Sequence, residues 1–287
     1  MFNPEHCSPS NDKKISCITL KLLRKIARII KNKVGEPIKI SSGKKELYDN
    51  ISTIMSKLSK CSSERCWVKV DIIRDNLTEK EYKLFINNFR PLRPKEWDEE
   101  PNKWLSTLDI NNVMEQYDEA YPRFRYIGAI PIDYDYKINN KCVSEELCSI
   151  NMDDLNKDKI SSIGIIFNTD KHNGGGEHWF CIYIDIRGNN GNNPTIYHFD
   201  SLANDPSPDI IDLINKLKIQ CKKKGGGEID VIFNDIKHQE GNTECGIYSL
   251  HFLTSMLKGV NFNDYIQSIK SDKYMERFRD VFFIDDK

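Results

Sequence analysis

At 287 residues, 39% hydrophobic and 30% charged, the chain can form one large domain or a domain with a substantial extension. Its formal net charge of −1 excludes a polyanion binder that works by bulk electrostatics. No apolar run approaches the roughly 18 residues a membrane span needs. The start, MFNPEHCSPSNDKK, lacks the apolar stretch of a secretory signal.

Residues 1–18 are polar and read as loose. Residues 19–33 read as an amphipathic helix, with Thr19 as cap and Leu20, Leu22, Leu23, Ile26, Ile29 and Ile30 at helical spacing. Gly35 and Pro37 stop it. Between Lys13 and Lys33 stand eight basic residues and no acidic one. A second helix is predicted over about 44–60, and a third from the Thr78-Glu79 cap to about Phe89. Pro91, Pro94 and Pro101 then mark a boundary between an N-terminal helical region, 1–95, and a core, 96–287.

In the core, Ile163–Phe167 is a short apolar run. WFCIYIDI at 179–186 is a strand bounded by Gly-rich turns, and 195–199 is another. Residues 208–224 have helical spacing and end at Gly225, a natural C-cap. Residues 229–234 read as a strand and 245–257 as a buried helix.

Nine cysteines at irregular spacing in so long a chain read as free thiols in a reducing, intracellular setting. A thiol attacks only as thiolate, which a helix N-terminus and a nearby imidazolium both favour. Cys245 stands at a predicted helix start, and Gly246 after it would leave room for a substrate backbone beside the sulfur. His178 opens the strand after a Gly-rich loop, where an imidazole can project into a cleft. Such a base needs a partner on its other nitrogen, and Asp200 ends the next strand. Gln239, six residues before Cys245, could donate its amide to an oxyanion together with the Cys245 N–H.

His178-Trp179, Asp200-Ser201 and Gln239-x5-Cys245-Gly246, in that order, resemble the adenovirus-protease/Ulp-type cysteine proteases, which process SUMO and related proteins. Asn242 lies one place later than in that family's pattern, and Glu244 replaces its Asp. Trp104-Leu105 is similar to the family's WL segment, which lines the substrate channel. A nearer resemblance is to the polyprotein-processing protease of African swine fever virus and its relatives in large cytoplasmic DNA viruses. It is carried by Asn168-Thr169-Asp170, by Asp185–Gly188, by His238–Leu250 and by Phe278–Phe283. That virus has Asn where this chain has Asp200.

The resemblance implies an α+β fold: an Ulp/adenain-like core, its central mixed sheet flanked by helices, with an N-terminal helical arm. It implies a viral thiol endopeptidase cutting structural polyproteins at Gly-Gly-X sites in the host cytoplasm and the virion. Trp179, Trp104 and Gly246 would line the substrate site, and no cofactor is implied. Two other readings stand beside it. One is a deSUMOylating or deubiquitinating enzyme with the same residues. The other is a nucleic-acid or membrane-binding module on the basic helix, through Lys21, Arg24, Lys25 and Arg28. Cys61-x4-Cys66 and Cys142-x5-Cys148 offer four thiols but not the short spacing of a metal site.

Overall fold

The computed structural model describes residues 4–11, 15–59, 61, 63–190, 193–222 and 228–285. Gly225, the expected cap of the helix after 208, lies outside them. The chain divides into two compact units, residues 1–92 with 281–287, and residues 93–280.

The first unit is helical. Helix α1 (Leu20–Lys33) starts where Thr19 accepts the Leu22 N–H, and it buries Leu22, Leu23, Ile26, Ala27, Ile29 and Ile30. These pack with α2 (Lys44–Leu58) and α3 (Asp71–Arg74). Helix α4 (Glu79–Ile86) opens with a capping box between Thr78 and Glu81. Ile284 belongs to this same core, and its N–H donates to the Pro91 carbonyl at 2.9 Å. Residues 281–287 therefore group with the first unit, although the sequence reading placed them in the core.

The second unit is built on a five-stranded mixed sheet, β1 (Phe124–Pro131), β4 (Ser162–Asn168), β5 (Trp179–Asp185), β6 (Thr195–Phe199) and β7 (Asp230–Phe233), in that order. The two outer pairs are parallel and the two inner ones antiparallel. Strands β2 (Lys137–Ile138) and β3 (Lys141–Cys142) form a separate hairpin. The sheet is covered on both faces, which is why β4 to β6 read as unbroken apolar runs. One face carries Ile163, Ile165, Phe167, Phe180, Ile182 and Ile196 against α8 (Pro208–Lys222). The other packs on α9 (Cys245–Leu257), with Phe199 stacked on Phe252 at 4.6 Å. Around this lie α5 (Thr107–Ala120), α6 (Glu145–Cys148), α7 (Met152–Lys157), α10 (Phe262–Gln267) and α11 (Asp272–Phe282). Strand β1, the hairpin, α5 to α7, α10 and α11 were not foreseen as elements.

The cysteines correct the reading of free thiols. Cys7–Cys17, Cys61–Cys66 and Cys142–Cys148 are disulfides, with Cα atoms 4.9, 5.4 and 6.4 Å apart. Each closes a short local loop of 10, 5 or 6 residues, so irregular spacing over the whole chain concealed them. The four thiols weighed as metal ligands are consumed in two of these bonds. Cys181, Cys221 and Cys245 stay free.

Candidate active site

Three backbone devices bring the predicted residues together. The antiparallel register of β5 and β6 pairs Cys181 with Phe199, so His178 and Asp200 emerge at one end of the sheet. Before His178, the loop 168–177 folds on its own side chains. Asn168 accepts the Asp170 and Glu177 N–H groups, and Asp170 accepts the Gly176 N–H. Gly176 has φ +83°, a conformation glycine adopts without strain. After β6, Asn234 brackets the next residue, accepting the Asp200 N–H at 2.8 Å and donating to the Asp200 carbonyl at 2.8 Å.

His178 Nε2 lies 2.7 Å from Asp200 Oδ1. The Asp200 carboxylate also accepts the Leu202 N–H at 2.8 Å and the Asn204 amide at 3.1 Å, so its orientation is fixed from three sides. The Cys245 thiol adjoins the same ring and is among the groups that raise its pKa. With Nε2 engaged by Asp200, the nitrogen left for Cys245 is Nδ1. Burial by itself lowers the His178 pKa, but hydrogen bonds to Asp200 and Cys245 and their charges outweigh it, and the imidazole is pushed up to about 9.

Cys245 is the first residue of α9, so its N–H is among the four amides without a partner inside the helix. Gln239 is 1% exposed. Its Oε1 accepts the Ser201 hydroxyl at 2.7 Å, and its Nε2 donates to the Gly241 carbonyl at 3.0 Å. These bonds set which way the amide faces and spend one of its two N–H groups. The second, with the Cys245 N–H, can serve an oxyanion.

Trp179 is buried, and its indole N–H donates to the Leu105 carbonyl at 3.0 Å. Trp104 is 41% exposed. Both line a groove of about 510 Å³ that continues along Thr107, Pro131, Val143 and the 170–176 loop. Gly246 is corrected in its reason. A Cβ there would stand 3.1 Å from Leu105 Cδ1 and 3.2 Å from its Cβ, so the space beside it belongs to Leu105 rather than to a substrate backbone.

Several supporting residues were missed. Ser201, Asn204 and Asn234 look like turn residues in sequence, and only their spatial partners reveal them. Glu244, a departure from the family pattern, is 1% exposed and paired with Arg279 at 2.7 Å. Three further histidines have partners outside this arrangement: His172 pairs with Asp133, His251 Nδ1 meets the Tyr265 hydroxyl, and His238 Nε2 meets the Ile266 carbonyl.

A protein of Acanthamoeba polyphaga mimivirus that carries the name of a thiol protease is 32% identical over 86% of this chain and 76% of its own. The chain belongs to the family of viral thiol proteases. The cysteine protease of African swine fever virus is 27% identical over 62% of this chain and 67% of its own. The crystal structure of the African swine fever virus protease superimposes with a TM-score of 0.72 at 20% identity, covering 99% of this chain and 97% of that one. The protease thus has the Ulp-like mixed sheet flanked by helices that its motifs implied. Residues 138–286 also match the family described as YopJ serine/threonine acetyltransferases, so the chain belongs to that family too. Both names describe acyl transfer. A cysteine nucleophile can pass an acyl group to water or to a hydroxyl, and the names differ in that acceptor.

Proposed function

We propose that the protease cuts structural polyproteins at Gly-Gly-X sites during virion maturation, in the host cytoplasm and in the virion. Cys245 is the nucleophile, His178 its base, Asp200 the residue that orients the base, and Gln239 the oxyanion donor. The observation that carries this reading is the His178–Asp200 contact of 2.7 Å, on an imidazole whose pKa both Asp200 and Cys245 raise. The Cys245 thiol gives its proton to His178, and the thiolate attacks the scissile carbonyl. The tetrahedral oxyanion is held by the Gln239 amide and the Cys245 N–H. As it collapses, the C–N bond breaks and His178 protonates the departing amine. Water, deprotonated by His178, then hydrolyses the thioester and the thiol regains its proton. Trp104 and Trp179 narrow the groove, which favours glycine beneath them.

Cleavage of a panel of Gly-Gly-X peptides by wild type and by Cys245→Ala tests this. Undiminished cleavage by the variant sinks the assignment of the nucleophile. A second reading draws on African swine fever virus relatives named SUMO-1 cysteine proteases. Preference for a folded ubiquitin-like fusion over a Gly-Gly-X peptide would favour it. The first unit is then a regulatory arm. The exposed basic residues of α1 suit contact with nucleic acid, and no described helix is long and apolar enough to cross a membrane.

A further inference from the structure

The loop 239–244 starts at the Gln239 amide and ends against Cys245, and one helix grips it at both ends. Asp272, the first residue of α11, accepts the Gly241 N–H at 2.6 Å and the Glu240 N–H at 3.2 Å through Oδ2. Its Oδ1 accepts the Tyr248 hydroxyl at 3.0 Å, tying the same carboxylate to α9. Arg279 follows seven residues later, which places it on the same face of α11 two turns on.

The Arg279 guanidinium is 5% exposed and holds the other end of the loop. Nη2 and Nε donate to the two Glu244 oxygens at 2.7 and 3.1 Å, a fork-to-fork pair. The remaining bonds run to the Thr243 carbonyl at 3.4 Å, the Asn102 carbonyl at 3.3 Å and the Lys103 carbonyl at 2.9 Å. The guanidinium also lies over the Trp97 ring at 4.5 Å. Glu244 occupies the N-cap of α9 but makes no capping bond with its side chain. Helix capping therefore does not account for this buried carboxylate, whereas the pairing with Arg279 does. Asn102 and Lys103 lead directly into Trp104 and Leu105, and Leu105 touches both Trp179 and the space at Gly246.

We propose that Asp272 and Arg279 are positioning residues of the protease. Asp272 sets the oxyanion side of the loop, and Arg279 locks the nucleophile end of it to the wall of the substrate groove. The inference deepens the protease reading and rests on it for its kinetic arm. The two grips have different consequences. Loss of the Asp272 charge frees the backbone around Gln239, where charge develops only in the transition state. Loss of the Arg279 fork also frees the wall that binds the ground state.

The test uses the full chain with Asp272→Asn, Arg279→Lys and Glu244→Gln. The last keeps shape and one acceptor, so the grip can be tested even if an Arg279 variant fails to fold. Hydrogen exchange is read at residues 239–245 and 102–105, and iodoacetamide alkylation of Cys245 reports the His178–Cys245 pair without substrate. Gly-Gly-X peptide kinetics are normalised to the titratable thiol. For Asp272→Asn we expect faster exchange at Glu240 and Gly241, alkylation within about twofold of wild type, and kcat down roughly 10- to 100-fold at nearly constant KM. For Arg279→Lys and Glu244→Gln we expect faster exchange at 243–245 and 102–105, and KM raised about threefold or more beside a lower kcat. Unchanged exchange overturns the proposal. So does activity loss that vanishes on normalisation, or that alkylation follows in step. If wild type turns over no peptide, the protease reading fails instead, and exchange with alkylation still decides whether α11 grips the loop.

Discussion

His178 Nε2 stands 2.7 Å from Asp200 Oδ1, and Cys245 joins Asp200 in raising the pKa of that ring. The imidazole thus faces an anion that favours its charged form, as the proposed base of Cys245 requires.

A pH dependence follows. The folded pKa of His178, about 9, lies above the ordinary 6.5. Its charged form therefore stabilises the fold fully below pH 6.5, and this contribution is lost as pH rises through 9. The thiolate–imidazolium pair should be lost on that same alkaline side. In Asp200→Ala the hydrogen bond and charge that raise His178 are gone, so the alkaline limb of kcat/KM moves to lower pH. The limb belongs to the coupled Cys245–His178 pair rather than to one residue. Profiles of wild type and variant decide this, and an unmoved limb contradicts the role given to Asp200.

Gln239→Ala removes a preorganised donor and should lower kcat on the order of 100-fold or more. Ser201→Ala leaves the amide but removes the hydroxyl that fixes its Oε1, so kcat should fall by less. Steady-state kinetics would show the ordering Gln239→Ala below Ser201→Ala below wild type. A Ser201 variant as slow as the Gln239 one would mean that Ser201 acts otherwise.

Much of this site was legible in advance because each catalytic candidate sits where local chain geometry is distinctive. Cys245 opens a helix buried over nearly its whole length, His178 follows a glycine loop, and Asp200 directly follows a fully buried strand. The strands β4 to β6 and the helices α1, α8 and α9 were readable for the same reason, since their apolar periodicity matches their burial. Strand β1 was not: FRYIGAIP holds a glycine, an arginine and a proline, and its register slips between Tyr126 and Gly128. The grips by Asp272 and Arg279 were invisible because they join residues 24 to 177 positions apart, many of them through backbone groups that carry no sequence identity. The disulfides were overlooked because the whole cysteine set was weighed together instead of as near neighbours.

Gly246→Ala should destabilise the protease even though alanine suits a helix better than glycine. The new methyl meets Leu105 at 3.1 Å, and overpacking of that kind costs about 1–3 kcal/mol. Leu105→Val removes the Cδ atoms, so the double variant should recover part of the loss in a denaturant titration. Strict additivity of the two would show that the Leu105 Cδ atoms are not what crowds the new methyl.

Lys25 pairs with Glu81 at 3.1 Å, so reversing its charge would disturb the fold as well as any contact. Lys21 and Arg28 are exposed. Lys21→Glu with Arg28→Glu should abolish salt-sensitive retention on DNA while peptide cleavage persists. Retention that survives the double reversal removes α1 from consideration.

Ile284 seats in a core otherwise made by residues 7–89, and its N–H meets Pro91. A chain leaving the ribosome from its N-terminus presents that core with an empty place until nearly 200 further residues have been made, since pairing across long sequence separation waits on the later partner. The helical arm is thus completed only after the unit that follows it in the chain has been made. A nascent protease interrupted anywhere in residues 93–280 carries an arm that lacks its closing piece.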